Sequence, residues 1–466
     1  MHYQSLINGV LNDGVLKLDV VNPATEQVFA TAARADEALL NEAVAAAKNA
    51  FPAWSRTSAD DRRAKVLALG QAIEQNADEF ARLLTMEQGK PITLARQEVA
   101  WAAGMFKFFA SMSVSDVVLK ESSRGRVIQQ HKPLGVVAAI AAWNYPLHIL
   151  SMKLAPALMV GNTVVAKPAP TTPLSALLFA KLAAQIVPPG VINVIVDNND
   201  LGEVLTNHPD VAKVAFTGST ATGKKVMSSA ASSLKRITLE LGGNDAAIVL
   251  DDADPKVVAP KIFRLAFTNS GQICLAIKRL YVPSSLYDAI CDELVKEAEK
   301  TVIGDGLDDK TTLGPVQNRQ QFERVKALLA DAKANGRVIA GGDVGEGKGY
   351  FIPASLVRDI SDSARLVREE QFGPVLPILR YDDLDDAVRR ANDSEFGLGG
   401  SVWTANPARG FEVAARLEVG TAWVNNHIDV RADVPFGGAK QSGVGVELGQ
   451  DGLEEYTQAT VIYATA

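Results

Sequence analysis

The run Val136-Val137-Ala138-Ala139-Ile140 sets the fold class, because consecutive small and branched apolar residues are typical of a strand buried on both faces. A turn at Asn144-Tyr145-Pro146 follows, and apolar periodicity then predicts a helix through Leu158. The next apolar run, Thr163-Val164-Val165-Ala166, predicts a second strand of the same kind. A strand, a helix and a strand in this order indicate a parallel βαβ unit.

The same alternation continues downstream. A helix is predicted at 174–187, ended by Pro188-Pro189-Gly190, and strands follow at 191–196, 211–216 and 236–241. We therefore expect a doubly wound parallel sheet, in which ligands bind beyond the carboxyl ends of the strands. The polar residues predicted to lie at that edge are Asn144, Lys167, Gly218, Ser219 and Glu240.

A second α/β unit is predicted after residue 246. Its strands are expected at 246–250, 279–282 and 375–379, and its helices at 255–266, 285–301 and 318–335. Upstream, apolar residues at three-to-four spacing predict helices over 36–51 and 60–84. A chain of 466 residues is long enough for two or three folding units.

Composition narrows the class of protein. An apolar content of 47% and a charged content of 22% are ordinary for a globular chain, and a net charge of −7 without a long basic run disfavours nucleic-acid binding. No apolar stretch is long enough to span a bilayer, and the N-terminus does not resemble a signal peptide. With only two cysteines, Cys274 and Cys291, disulfides are not expected, so we expect a cytoplasmic protein that binds no membrane.

Cys274 is the strongest candidate for a catalytic group. It follows Asn269-Ser270-Gly271-Gln272, a polar turn that suits a core thiol poorly, whereas Cys291 lies on an apolar helical stripe and is expected in the core. Glu240 lies 34 positions upstream at a strand end, in an apolar stretch that should raise its pKa and suit a general base. A buried core thiol and a solvated strand-end carboxylate are the alternatives.

Two further motifs fit the same edge of the sheet. Asn144 could direct an amide N–H at an oxyanion, although a turn asparagine before a helix is common. The segment Phe216-Thr217-Gly218-Ser219-Thr220-Ala221-Thr222-Gly223 joins a strand to a helix and would allow a pyrophosphate to approach the helix N-terminus. It lacks the full GxGxxG spacing. Lys167 could bind ribose hydroxyls or a phosphate, or be an exposed lysine.

Taken together, the motifs resemble those of the aldehyde dehydrogenase superfamily, in order and across nearly the whole chain. They are Trp143-Asn144-Tyr145-Pro146, Lys167-Pro168-Ala169, Phe216-Thr217-Gly218-Ser219, Glu240-Leu241-Gly242-Gly243-Asn244, the run ending at Cys274, Glu369-Glu370-Gln371-Phe372-Gly373-Pro374 and Pro435-Phe436-Gly437-Gly438.

The resemblance implies a non-acylating, NAD(P)-dependent enzyme that oxidises an aldehyde to a carboxylic acid. Cys274 would be the nucleophile that forms a thiohemiacetal and then a thioester, Glu240 would activate the hydrolytic water, and Asn144 would donate to the oxyanion. The cofactor-binding residues it implies are Trp143, Lys167, Gly218, Ser219, Gly223, Leu241, Glu370 and Phe372. No metal site is expected.

The resemblance also implies a domain scheme: a Rossmann-type NAD(P)-binding domain at 1–121 and 135–245, an α/β catalytic domain at 246–450, and a small β extension for oligomerisation. The extension would comprise 122–134 and 451–466, its C-terminal strand beginning near residue 456, in a homodimer or homotetramer. Pro170 stands where many NAD-dependent relatives carry a glutamate that binds the adenosine ribose. Without that carboxylate NADP is possible, but no nearby arginine favours a 2′-phosphate, so NAD is the expected cofactor.

By position, the substrate pocket implied by the resemblance includes Ile149, Met152, Thr268, Ile273, Leu275, His427, Ile428, Val430 and Phe436. This mostly apolar set favours an aliphatic or aromatic aldehyde, although Arg431 leaves a carboxylated semialdehyde open. An acylating enzyme, which needs no water-activating base such as Glu240, and a non-catalytic protein on the same fold also stay open at this point.

Overall fold

The computed structural model describes residues 1–465, and its first elements are five short strands. They are β1 His2–Tyr3, β2 Ser5–Ile7, β3 Val10–Asn12, β4 Leu16–Asn22 and β5 Gln27–Arg34. Strands β4 and β5 form an antiparallel hairpin with β1 beside it, whereas β2 and β3 extend the edge of a larger sheet. These strands were not predicted, because they are short and partly exposed.

Four helices follow: α1 Glu37–Trp54, α2 Ala59–Gln75, α3 Ala77–Gln88 and α4 Ile92–Ser111. The single helix predicted over 60–84 is wrong, because Asn76 interrupts it with a φ of −114°. The Asn76 side chain donates to the Ala72 carbonyl at 2.8 Å, a local hydrogen bond that competes with a continuous helix. Gly89, with a φ of 97°, ends α3 in the left-handed conformation.

The predicted parallel sheet is confirmed. The hairpin β6 Val117–Ser122 and β7 Gly125–Pro133 comes first. Strands of the sheet then alternate with helices in the order β8 Val136–Ile140, α5 Pro146–Met159, β9 Thr163–Lys167, α6 Leu174–Ala183, β10 Ile192–Val194, α7 Gly202–Asn207, β11 Val211–Thr217, α8 Thr220–Ala231 and β12 Arg236–Glu240. Its parallel strands lie in the order β12-β11-β8-β9-β10.

Burial explains why β8 forms the centre of this sheet. Val137 and Ala139 pack into one apolar core, and Val136, Ala138 and Ile140 pack into another on the opposite face. Successive side chains of a strand point to opposite faces, so both faces of β8 are covered by helices.

The second α/β unit is also present. It contains β13 Asp245–Val249, α9 Pro255–Phe267, β14 Ile277–Pro283, α10 Tyr287–Glu299, α11 Arg319–Asn335, β15 Arg337–Ala340, β16 Ser355–Arg358, α12 Arg365–Arg368, β17 Val375–Tyr381, α13 Leu384–Asn392, β18 Phe396–Gly397, β19 Gly399–Trp403, α14 Pro407–Ala414 and β20 Thr421–Val424. Its seven-stranded sheet has the order β15-β16-β17-β14-β13-β19-β20.

The C-terminal elements return to the first half of the molecule. They are β21 Ala439–Lys440, β22 Gly443–Val444, α15 Gly449–Glu454 and β23 Thr457–Thr465. Strand β22 pairs with β12, so part of the segment predicted as catalytic domain completes the cofactor-side sheet. Strand β23 pairs along β7, and β6 completes a separate three-stranded sheet.

Two of the predicted domain boundaries fall inside secondary-structure elements. The cut between 121 and 122 falls inside β6, which pairs with β7. The cut between 450 and 451 falls inside α15, and the pairing with β7 begins at Thr457. Ala466, the last residue assigned to the extension, lies outside the described residues. No helix within residues 1–465 is long and apolar enough to cross a membrane.

Candidate active site

The three predicted catalytic residues lie at or beside the ends of strands in the two sheets. Asn144 lies between β8 and α5, and Glu240 is the last residue of β12. Glu240 is paired with Thr217, and its carbonyl accepts a hydrogen bond from the Gly218 amide at 3.0 Å. Cys274 lies between α9 and β14, in the second unit. The geometry thus joins groups from both halves of the chain.

A cleft of about 1060 Å³ opens beside these residues. Its lining includes Cys274 and Asn144, and most of the residues predicted to bind the cofactor, which are Trp143, Lys167, Gly218, Ser219, Leu241, Glu370 and Phe372. Gly223 does not line it. A side chain at Gly223 would collide with Leu241, so this glycine instead permits close packing of α8 on the segment after β12.

The turn before Cys274 has an unusual backbone. Asn269, Ser270 and Gly271 have φ values of 53°, 56° and 70°. Two non-glycine residues in the left-handed region store strain, which the surrounding hydrogen bonds must offset. The Ser270 hydroxyl donates to the Gly314 carbonyl at 2.7 Å, and the Gln272 side-chain oxygen accepts from the Gln317 amide at 2.8 Å. These bonds fix the turn that presents the thiol.

The environment of the Cys274 thiol disfavours its ionised form. Burial raises its pKa to about 12, although the nearby Lys278 ammonium acts in the opposite direction. Lys278 donates to the carbonyls of Ile273 and Cys274 at 2.8 and 2.6 Å. The charge of Glu240 also raises the Cys274 pKa, which places the two groups within electrostatic reach. Burial and the neighbouring carboxylates thus oppose formation of the thiolate, and Lys278 favours it.

Glu240 is a buried carboxyl with an exposed fraction of 4%. Its Oε1 atom finds no hydrogen-bond partner among residues 1–465. Burial raises its pKa well above the usual value, Glu447 raises it further, and Lys153 lowers it. Lys153 and Glu447 form a buried ion pair at 2.5 Å. The direction of this shift is the one expected from the apolar sequence context of Glu240.

Asn144 is buried and held on both its side chain and its backbone. Its Nδ2 donates to the Gln272 carbonyl at 3.0 Å, which uses one of two N–H groups. Its carbonyl accepts from Asn269 Nδ2 at 3.2 Å and from Lys90 Nζ at 2.8 Å. The amide is thereby tied to the turn that precedes Cys274, with a second N–H still available.

An apolar cluster adjoins the thiol. This cluster is the large apolar core of the first unit, and Cys274 packs against it partly buried. It contains the predicted pocket residues Ile149, Met152, Ile273, Leu275 and Phe436, and Ile428 and Val430 also pack against it. Two predicted pocket residues have other partners. The Thr268 hydroxyl donates to the Arg264 carbonyl at 2.6 Å, and the buried His427 ring lies 3.3 Å from Asp245 Oδ2.

The residues near the site that the sequence did not indicate are mainly buried charged side chains. Lys153 and Lys90 have fully buried side chains that pair with Glu447 and Glu98. One signal was available: Lys153 is the only charged residue in a helix, α5, whose other members are mostly apolar. Such a lysine needs a buried partner, but the partner itself, 294 positions away, could not be identified from spacing.

The cofactor side of the cleft fits a dinucleotide. Ser219 caps α8, whose N-terminus adjoins the cleft and offers the amide groups and dipole that favour phosphate. Lys167 is paired with Asp197 at 2.6 Å. Glu370 accepts from the Gly243 amide at 2.9 Å, and the Trp143 and Phe372 rings meet edge-on at 5.2 Å. Aromatic, cationic and hydroxyl groups therefore line one continuous channel.

Comparison with known proteins agrees with this geometry. The family model for the aldehyde dehydrogenase family matches residues 11–462. A mitochondrial succinate-semialdehyde dehydrogenase of Arabidopsis thaliana is 38% identical over 98% of this chain and 88% of its own. The NAD+ complex of a Bacillus cereus aldehyde dehydrogenase has a TM-score of 0.97 and 36% identity, covering 100% of this chain and 97% of its own. An NADP-dependent enzyme of E. coli gives the same TM-score and identity, covering 100% and 98%.

The fold and the matches define an oxidoreductase that uses a nicotinamide cofactor. The chain belongs to the aldehyde dehydrogenase family, as its motifs indicated, and it acts on the aldehyde group.

The Lys153–Glu447 pair gives a test of the electrostatics around Glu240. Glu447→Gln removes a charge that raises the Glu240 pKa, so that pKa should fall; Lys153→Met removes a charge that lowers it, so the pKa should rise. Difference infrared titration measures this directly, with the carboxyl band identified by its loss in Glu240→Gln. Shifts of the same sign in both variants would contradict the arrangement described.

Proposed function

We propose that this enzyme oxidises an aldehyde with a largely apolar side chain to a carboxylic acid, through a covalent adduct on Cys274. One observation carries the proposal: Cys274 lines the cofactor cleft and also packs against the apolar cluster. A substrate whose side chain contacts the apolar residues beside Cys274 would present its carbonyl carbon to the sulfur next to the cleft. Binding in this geometry favours attack because it replaces a bimolecular encounter.

The first step forms the bond between sulfur and carbonyl carbon. The Cys274 thiol gives up its proton to water in the cleft that it lines, the thiolate attacks the carbonyl carbon, and the carbonyl oxygen becomes an oxyanion. The second N–H of Asn144 is proposed to donate to that oxyanion, since its first N–H is held by Gln272. A bound nicotinamide dinucleotide supplies the hydride acceptor that the oxidation requires. The product on the protein is a thioester of Cys274.

The second half of the reaction is hydrolysis. Glu240 is proposed to take a proton from water, whose oxygen attacks the thioester carbon and displaces the Cys274 thiolate. The thiolate then recovers, by way of solvent, the proton that Glu240 took. The carboxyl oxygen of Glu240 without a partner in the described chain is available for this purpose. This feature favours release to water over transfer of the acyl group to another thiol, and it disfavours a non-catalytic role.

The surroundings of the apolar cluster support an aliphatic or aromatic substrate. Trp101 is 44% exposed, and its ring lies 6.2 Å from that of Tyr145 and 5.8 Å from that of His148. Tyr145 belongs to the same cluster as the residues packed around Cys274. Arg431, the candidate for binding a carboxylated semialdehyde, is paired with Asp433 at 3.1 Å. Its charge is therefore already engaged.

NAD is the proposed cofactor, and NADP is the alternative. Pro170 provides no carboxylate to repel a 2′-phosphate, yet Asp200 and Glu203 line the cleft. Lys167, which could contact a phosphate, is already neutralised by Asp197. Glu203 would disfavour an additional phosphate, whereas Asp200 is paired with Arg34 at 2.6 Å and Lys225 also lines the cleft, so NADP stays open.

We also propose a revised domain scheme with a homo-oligomeric assembly. The cofactor-binding domain would end its first segment before β6 and include β22, and the extension would be β6, β7 and β23. Val117, Val118 and Leu119 of β6 are exposed, as is 77% of Tyr463 on β23. Exposed apolar edge strands of this kind are usually covered by a partner, here a second copy of the chain.

The activity itself is tested by nicotinamide reduction with aliphatic, aromatic and carboxylated aldehydes, using NAD and NADP in parallel. Apolar aldehydes with NAD should give the highest kcat/KM, and Cys274→Ala should abolish turnover because it removes the group proposed to form the adduct. Cys291→Ala is the matched control and should retain activity, because Cys291 is a buried residue of the second unit's core. Full activity of Cys274→Ala would refute the mechanism, and preference for a carboxylated aldehyde would refute the substrate class.

The assembly is tested by light scattering of the purified protein. The wild type should have a mass that is a multiple of 49.6 kDa, and Leu119→Glu should reduce it by placing a charge in the proposed interface. Leu234→Glu is the matched control, because Leu234 is 92% exposed and lies outside the extension. A wild-type mass of one chain, or an equal effect of both substitutions, would overturn the proposal.

A further inference from the structure

Lys90 is a fully buried lysine outside the groups that the proposed reaction uses. It follows Gly89 in the turn between α3 and α4, and its side chain has no exposed surface. Taking an ammonium group out of water is costly unless each of its donors is matched. The contacts of this one group therefore indicate its role.

The Lys90 ammonium has three partners. It forms an ion pair with Glu98 of α4, whose side chain is also fully buried. It donates to the backbone carbonyl of Asn144 at 2.8 Å. It also lies 3.7 Å from the ring centroid of Tyr145, the next residue along, in a cation–π contact. Two of the three partners belong to the turn that carries the Asn144 amide.

Glu98 holds the other side of the same turn. Its Oε1 accepts hydrogen bonds from the amides of Leu147 and His148 at 3.1 and 3.3 Å, in the first turn of α5. The residue that precedes this helix, Tyr145, makes no side-chain capping bond. Glu98, which belongs to α4, thus takes the place of a local N-cap for α5. Its negative charge complements the dipole at the N-terminus of that helix.

We propose that Lys90 and Glu98 are positioning residues that hold the Asn144 amide in place for the oxyanion. Lys90 fixes the backbone on the carbonyl side of Asn144, and Glu98 fixes the start of α5 only three residues further on. Neither is proposed to touch substrate or cofactor. The inference rests on the proposed function of Asn144, and the experiment below separates the failure of one from the failure of the other.

Stability alone accounts poorly for this pair. Buried ion pairs often contribute little net stability, and apolar residues of similar volume can replace them with small effects on the free energy of unfolding. A group that must be oriented to within a fraction of an ångström for catalysis has a more specific need for fixed partners. The pair is therefore expected to matter more to the rate than to the fold.

A double-mutant cycle between Lys90→Met and Asn144→Ala tests the proposal, with kcat/KM for an apolar aldehyde as the readout. Removing an oxyanion donor should lower kcat/KM by about 100- to 1000-fold, and misplacing it through Lys90→Met by about 10- to 100-fold. Since Lys90 is proposed to act through Asn144, Lys90→Met should cause less than about a twofold further loss in the Asn144→Ala background. NAD affinity, measured by protein fluorescence, should be unchanged.

Lys213→Met is the matched control. Lys213 is another fully buried lysine, bonded to Thr238 at 2.6 Å and Glu455 at 3.2 Å, with the Tyr456 ring 5.0 Å away. If Lys213→Met lowers kcat/KM, it should do so by the same factor in the wild type and in the Asn144→Ala variant. Glu98→Gln repeats the cycle with a side chain of the same size and an oxygen that can still accept from α5, in case Lys90→Met does not fold.

The outcomes are distinct. Equal factors for Lys90→Met in both backgrounds, or loss of NAD affinity in step with activity, would overturn the positioning role while leaving the role of Asn144 intact. Full activity of Asn144→Ala would refute the assigned role of Asn144, and the inference would fall with it. We expect Lys90→Met to lower kcat/KM only when Asn144 is present. Lys90→Arg, which keeps the positive charge, should retain part of that activity.

Discussion

Parallel pairing of β8, β11 and β12 is the constraint on which the site depends. It aligns Ile140 with Phe216 and Thr217 with Glu240, so the segments that follow these strands leave the sheet at one edge. The Asn144 turn, the start of α8 and the Glu240 carboxyl are neighbours for this reason alone. The second unit contributes the strained turn that carries Cys274, and hydrogen bonds from Asn144 and Asn269 connect the two.

The site combines groups whose ionisation is disfavoured by burial. The Cys274 pKa is raised to about 12 and that of Glu240 is raised well above its usual value. A thiol and a carboxyl in such an environment hold their protons until a neighbouring group or a bound molecule changes the balance. Because the charge of Glu240 opposes ionisation of the thiol, protonation of Glu240 would favour formation of the thiolate. Ionisation of one group is therefore coupled to ionisation of the other.

Apolar runs such as residues 136–140 were sufficient to predict the parallel sheet, because strands buried on both faces have an unmistakable composition. The candidate site followed from polar residues at strand ends, and its family from ordered motifs. The break at Asn76 and the partly exposed N-terminal strands were missed, because local side-chain bonds and tertiary pairing decide them. Partners of buried charges, such as Glu447 for Lys153, meet only in the folded chain. The contacts of Gly223, Thr268 and His427 likewise depend on packing in the folded chain, which the spacing of residues in the sequence does not reveal.

The proposed mechanism requires a thioester on Cys274 that water releases with the help of Glu240. Intact-protein and peptide mass spectrometry tests it after Glu240→Gln is mixed with NAD and an apolar aldehyde and then quenched in acid. We expect the peptide containing Cys274 to gain the mass of the aldehyde less two hydrogens, while the peptide containing Cys291 is unchanged. Continued turnover with no adduct on Cys274, or an adduct on another residue, would contradict the mechanism.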